Sequence, residues 1–152
     1  MKNIYLFLFT ITLALGANAQ KDVYLKIDHF LNGQPFTFNS VGTNNLGNQF
    51  KVNRLEYYIS KVNIIHDGGQ ITPATTEYFL VDGQAGLNAM IGNLNITTLE
   101  GVQLGIGVED PANHSDPTAY PNGHPLYPKM PSMHWGWQSG YRFVAMEGTS
   151  GN

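Results

Sequence analysis

Toward its C-terminal end the chain gathers residue types that can hold a metal. His114 stands in Asn113-His114-Ser115-Asp116-Pro117, and His134 in Met133-His134-Trp135-Gly136-Trp137. Met130 and Met133 lie beside the second histidine. Imidazole is the commonest transition-metal ligand, and a thioether adds a soft donor suited to Cu(I). With no cysteine in the chain, thiolate ligands are excluded and nitrogen, oxygen or thioether donors remain. The ligand set is therefore of a copper type rather than a zinc cage.

Each of these residues also has an ordinary explanation. A loop histidine such as His114 is commonly just solvated. If a strand begins at His134, its ring points away from both Trp135 and Trp137. Gly136 and Gly140 would allow the backbone to be irregular there instead. His29 closes an apolar alternation, where it is either a core-edge residue or a ligand presented at a sheet rim. His66 and His124 read as turn residues, and Met130 and Met133 as core filler. Trp135 and Trp137 suit a core, a stacking platform for glycan or protein, or oxidative modification. Glu109, Asp110, Asn113 and Asp116 form an oxygen cluster that would suit Ca²⁺, though not with EF-hand spacing, and equally suit turn capping. No nucleophile motif, phosphate loop or H-E-x-x-H occurs, so the chain is expected not to be an enzyme.

The elements that must carry these residues are strands. Val23, Leu25, Ile27, His29 and Leu31 share one face of a first strand, and Asn32-Gly33 is a two-residue turn before Pro35-Phe36-Thr37-Phe38. Ser40 to Gln49 reads as a loop. In the long run from Phe50 to Ile65, Leu55, Tyr57 and Ile59 keep one parity while Val62 and Ile64 keep the other. That switch implies a bulge or bend near Ser60-Lys61. His66 to Gly69 turns the chain, Glu77 to Asp82 forms a short buried strand, and a helical turn is allowed near Leu87 to Met90. Val102, Leu104, Ile106 and Val108 alternate with glycine and glutamine. Between Glu109 and Pro131 lies a long loop containing Pro111, Pro117, Pro121, Pro125 and Pro128. Irregular loops of that length in compact domains are usually functional or disordered. The closing strand is expected to place Trp135, Trp137, Tyr141, Phe143 and Ala145 on one face. The fold class is all-β, a single antiparallel β-sandwich.

Charged residues make up only 12% of the chain, against about 25% in ordinary soluble domains. The net charge of −3 argues against nucleic acid and anionic membrane surfaces. Lys2, the apolar run from Tyr5 to Leu15 and Ala17-Asn18-Ala19 make residues 1–19 a signal peptide, cleaved near Ala19/Gln20. The domain is then 20–152, secreted or periplasmic, with no membrane insertion after cleavage. The chain stops on turn-type residues, Glu147 to Asn152, and is expected to lack its last strand or strands.

One ordered set of residues carries a resemblance. Gly107-Val108, Asn113-His114-x-Asp116, Pro125-Leu126, Met133-x-Trp135-x-Trp137-x-x-Gly140-Tyr141-x-Phe143 and Glu147-Gly148 are joined upstream by His29-Phe30-x-Asn32-Gly33-x-Pro35, Leu55-x-Tyr57-Tyr58-Ile59-Ser60 and Leu80-Val81-Asp82. In this order they resemble the MbnP-like copper-binding family, in its secreted, Bacteroidetes-type form. The resemblance implies a β-sandwich that binds copper through histidines, with a tryptophan oxidised to kynurenine by a MauG-like dihaem partner. On this sequence it points to His114, Trp135 and Trp137, and to His29 in the branch this chain resembles. His134 stands at a variable position of the family and joins His29, His114 and Trp135 in the candidate metal set on its own residue type, with Trp135 and Trp137 as the candidates for modification. The alternative is an extracellular interaction or glycan-binding module that uses exposed aromatics and is stabilised by calcium.

Overall fold

The computed structural model describes residues 19–151; the expected signal peptide, up to its last residue, lies outside them. The strands are β1 (Lys21–Ile27), β2 (Phe30–Leu31), β3 (Gln34–Pro35), β4 (Val41–Thr43), β5 (Gln49–His66), β6 (Gln70–Pro73), β7 (Tyr78–Asp82), β8 (Leu87–Leu94), β9 (Leu99–Ile106) and β10 (Val144–Ser150). Every named pairing is antiparallel.

The spine is β5, 18 residues long. Along one edge it pairs with β10 and then β9; along the other it pairs with β4, β7 and β6. The expected bulge is present. The β5–β9 register shifts between Ser60 and Asn63, and Lys61 takes a left-handed φ of 49°. One inserted residue turns the later side chains over, so Val62 and Ile64 join Ile59 in a single buried cluster.

β5 therefore has two covered faces. On the first, β1 and β8 form a two-stranded second layer. Val23, Leu25 and Ile91 pack there against Ile59, Val62, Ile64, Phe79 and Val81. On the second face lies Tyr58, with Tyr78, Val108 and Ala145, under a lid of loop residues: Leu126, Met133 and Tyr141. The lid is tied down through phenols. Tyr58 donates to the Pro125 carbonyl at 3.2 Å and Tyr141 to the Leu126 carbonyl at 2.6 Å. The two rings meet edge to face at 5.5 Å, so the long proline loop is pinned to the sheet at Leu126 while much of it stays exposed.

Several expected elements take other forms. The first strand ends at Ile27, and Asn32 and Gly33, both at positive φ, turn a hairpin of only two residues a side. A short strand, β4, lies inside the expected 40–49 loop. Leu87 to Met90 is strand, held by β1, rather than a helical turn. Residues 147–150 extend β10 along β5 rather than forming a turn. Most consequentially, Trp135 to Phe143 is not strand. A bridge between His134 and Tyr141 closes a tight strap, because Gly136 and Gly140 take positive φ where a strand cannot continue.

Candidate metal centre

His114 ends a short 3-10 turn, Ala112–His114. Its Nδ1 lies 3.0 Å from the Trp137 carbonyl. A carbonyl only accepts, so Nδ1 carries the proton and Nε2 presents its lone pair. Such a backbone partner orients a ligating imidazole in metal sites. Nε2 faces the Asp110 carboxylate at 3.4 Å, with the histidine side chain 47% exposed. Two lone-pair groups this close are stabilised by a shared cation, whether proton or metal.

His134 sits in the adjacent strap. Its Nδ1 accepts the Gly136 N–H at 3.1 Å, its ring meets Tyr141 at 4.8 Å, and its Nε2 is buried without a hydrogen-bond partner. Burial lowers its pKa, the nearby Asp116 opposes the shift, and the charge of His114 adds to it. The two histidines and Asp116 thus share one electrostatic neighbourhood, in which His134 favours the neutral form.

The two loops interlock at Asn113. Its side-chain oxygen accepts the Tyr141 N–H at 2.8 Å. A Cβ on Gly140 would fall 2.5 Å from Asn113 oxygens, on a residue at φ +67°. Only glycine fits this crossing, which brings the His114 turn against the His134 strap.

Trp135 and Trp137 are both 67% exposed, so neither plays the core role. The Arg142 guanidinium lies over the Trp135 ring, 4.5 Å from its centroid. Met133 is buried at 1% exposure and Met130 exposed at 96%; Met133 packs in the lid as ordinary core.

His29 lies apart from His114 and His134, and its Nδ1, like His134 Nε2, is buried without a hydrogen-bond partner. It was expected to meet the other imidazoles at one rim, and the structure does not bring it there. Its Nε2 is 2.8 Å from the Tyr57 hydroxyl. Tyr57 packs against the β1–β8 side of the sheet, whereas Tyr58, one residue on, packs against the lid. Successive strand residues point to opposite faces, so His29 and the His114–His134 pair are held on opposite sides of β5. His66 is structural: it spans Thr72 at 2.9 Å and Asp67 at 3.2 Å. His124 stacks on Tyr120. Among the described residues, no three His, Asp or Glu side chains converge on one point.

Sequence reasoning missed Arg54. Its guanidinium binds Glu56 at 2.7 Å and Glu147 at 2.9 Å, and reaches the Pro131 and Ser132 carbonyls at 3.3 Å. Burial alone would depress its pKa, but the two carboxylates more than offset that and raise it. The available signal was parity: Arg54 alternates with Val52 and Tyr58, which places a cation on a buried face.

A sequence-family model described as MbnP matches residues 20–152. No curated protein sequence matches the chain significantly. Among solved structures, the fold is similar to a chain described as MbnP from Methylosinus trichosporium, with a TM-score of 0.63 at 17% identity. That likeness covers 85% of this chain and 55% of the other, so the chain spans about half the length of the structure it matches, and the likeness shows the fold. Because the sequence-family match runs through the strands, the lid and the strap alike, this chain belongs to the MbnP family.

Proposed function

We propose that this chain is a secreted or periplasmic, non-enzymatic copper-binding protein whose metal is held at the lid face by His114 and His134. One observation carries the reading. His114 is held through Nδ1 by the Trp137 carbonyl, which turns its Nε2 lone pair toward Asp110, in the neighbourhood of a second imidazole whose Nε2 has no partner. Asp110, at 3.4 Å from His114, supplies negative charge beside that ligand. Bound copper would supply an ion that soft and nitrogen donors hold, for storage or transfer.

The donor set fits copper at His114 directly. At His134 it fits after one change: the Gly136 N–H now occupies Nδ1, which leaves the ring proton on Nε2. Ligation through Nε2 requires that amide to turn away so that the proton moves to Nδ1; glycine's freedom permits this. An intact indole has no lone pair to offer, so Trp135 joins the metal set only if oxidised.

Modification by a MauG-like dihaem partner belongs to the same reading. Both indoles are exposed and therefore accessible to electron transfer. A cation over Trp135 opposes positive charge developing on that ring, so Trp137 is the easier of the two to oxidise. Peptide mass spectrometry over residues 133–142 of natively expressed protein should show Trp137 converted to kynurenine, with one oxygen gained and the indole C2 carbon lost; modification confined to Trp135 would contradict this preference.

Copper quantification with competition by a Cu(I) chelator tests the main reading. Stoichiometric copper, reduced in affinity at least roughly tenfold by His114→Ala, is expected. No copper above background in native protein would overturn it. The exposed tryptophan pair also suits the alternative of an aromatic binding module, which predicts glycan or protein binding that survives chelation and is lost in Trp137→Ala.

A further inference from the structure

The strap that carries His134 and Trp135 has little regular structure of its own, and beside the packing of Met133 and Tyr141 on Tyr58 one charged side chain of β5 grips the segment that leads into it. Arg54 rises from β5, only 10% exposed. Nε donates to Glu56 at 2.7 Å and Nη1 to Glu147 of β10 at 2.9 Å. Nη2 addresses the carbonyls of Pro131 and Ser132 at 3.3 Å and the Met133 sulfur at 3.2 Å. All three guanidinium nitrogens are engaged, and the segment they hold immediately precedes His134.

The same hub reaches the strap from its other end. Glu147 also meets Arg142 at 3.5 Å, and Arg142 lies over Trp135. The Arg142 N–H donates to the Met133 carbonyl at 2.8 Å. Arg54 therefore fixes residues 131–133 directly, and through Glu147 it fixes the cation that covers the indole. A buried charge costs several kcal/mol in general, and one neutralised by two carboxylates while spanning two strands and a loop serves specificity of geometry.

We propose that Arg54 is the positioning residue of the lid-face site: without its planar fork the strap detaches from β5, and the His134 ring and Trp135 lose their placement while the sandwich persists. The inference builds on the copper reading, yet its first test needs no metal.

Amide hydrogen exchange is measured residue by residue in wild type, Arg54→Gln and Arg54→Lys. The Trp135 and Arg142 amides, bonded to the Gly140 and Met133 carbonyls, should exchange at least about tenfold faster in Arg54→Gln. The β5–β9 ladder around Ile64 and Val102 should keep its protection. Arg54→Lys should fall between, since an ammonium restores charge but not the fork; it also carries the test if Arg54→Gln does not fold. Acceleration spread evenly over all amides would mean a purely structural role and would overturn the proposal, as would an unchanged strap. In parallel, Arg54→Lys should weaken copper binding about tenfold, the usual effect of losing an outer-shell partner. If wild type binds no copper, the functional reading fails while the exchange pattern still decides the role of Arg54.

Discussion

At the scale of single residues, two positions show how little of a side chain's role lies in its type. Asp67 looks like a turn residue and is one, at φ 44°. Its carboxylate also accepts the Thr98 N–H at 2.7 Å and the Thr97 N–H at 2.9 Å. These bonds, the Thr98 amide first, hold its pKa below the usual carboxylate value, with His66 adding to the shift. In this window the unfolded chain binds the proton more readily than the folded one, so Asp67 contributes stability above about pH 4 that is lost as acid titrates the folded carboxylate. Asp67→Asn tolerates the positive φ and keeps one acceptor. Its melting temperature should therefore be lower at neutral pH and flatter than wild type's between pH 5 and pH 2, by differential scanning fluorimetry; an unchanged acid slope would contradict this. Gly140 is the second case. Gly140→Ala meets both a positive φ and the Asn113 oxygens, and should cost at least about 1–2 kcal/mol. Because the clash lies where the two histidine loops cross, copper affinity should fall with it. Retention of both stability and affinity in chemical denaturation and chelator titration would show that the crossing is slack.

At the scale of elements, β5 was the most readable and the strap the least. The parity switch between Ile59 and Val62 was visible as a pattern, and the left-handed Lys61 that causes it follows from the need to keep both halves in one core. Deleting Lys61 should turn Val62 and Ile64 out of the core and yield no folded protein by circular dichroism. Lys61→Gly relieves the strained φ and should leave stability equal or higher by up to about 1 kcal/mol. A folded deletion variant with wild-type melting would refute the bulge as the register-setting device. The strap deceived because Trp135, Trp137, Tyr141 and Phe143 recur at even spacing, the signature of a strand face. Gly136 and Gly140 break that strand at two points, and only Tyr141 of the four is buried. Arg54 escaped notice for a related reason: on an isolated strand a cation beside a glutamate reads as a solvated pair. It becomes a hub only when β10 and the 131–133 segment, both distant in sequence, close over it.

At the scale of the whole molecule, the sheet divides the candidate ligands. The antiparallel sandwich was legible, because alternation and turn spacing are local signals. The placement of His29 was not, because which face of β5 a residue meets depends on how β1 and the lid pack from opposite sides. His29 leans on Tyr57, whose hydroxyl burial keeps protonated, on the β1–β8 side of the sheet. His114 and His134 share the other. The most direct measurement compares Cu(I) affinity, by chelator competition, in wild type, His29→Ala, His114→Ala and His134→Ala, with folding of each checked by melting. The expected result is affinity reduced at least about tenfold in the His114 and His134 variants and unchanged in the His29 variant. Loss of copper from a folded His29→Ala protein with retention in His114→Ala would contradict the lid-face site outright.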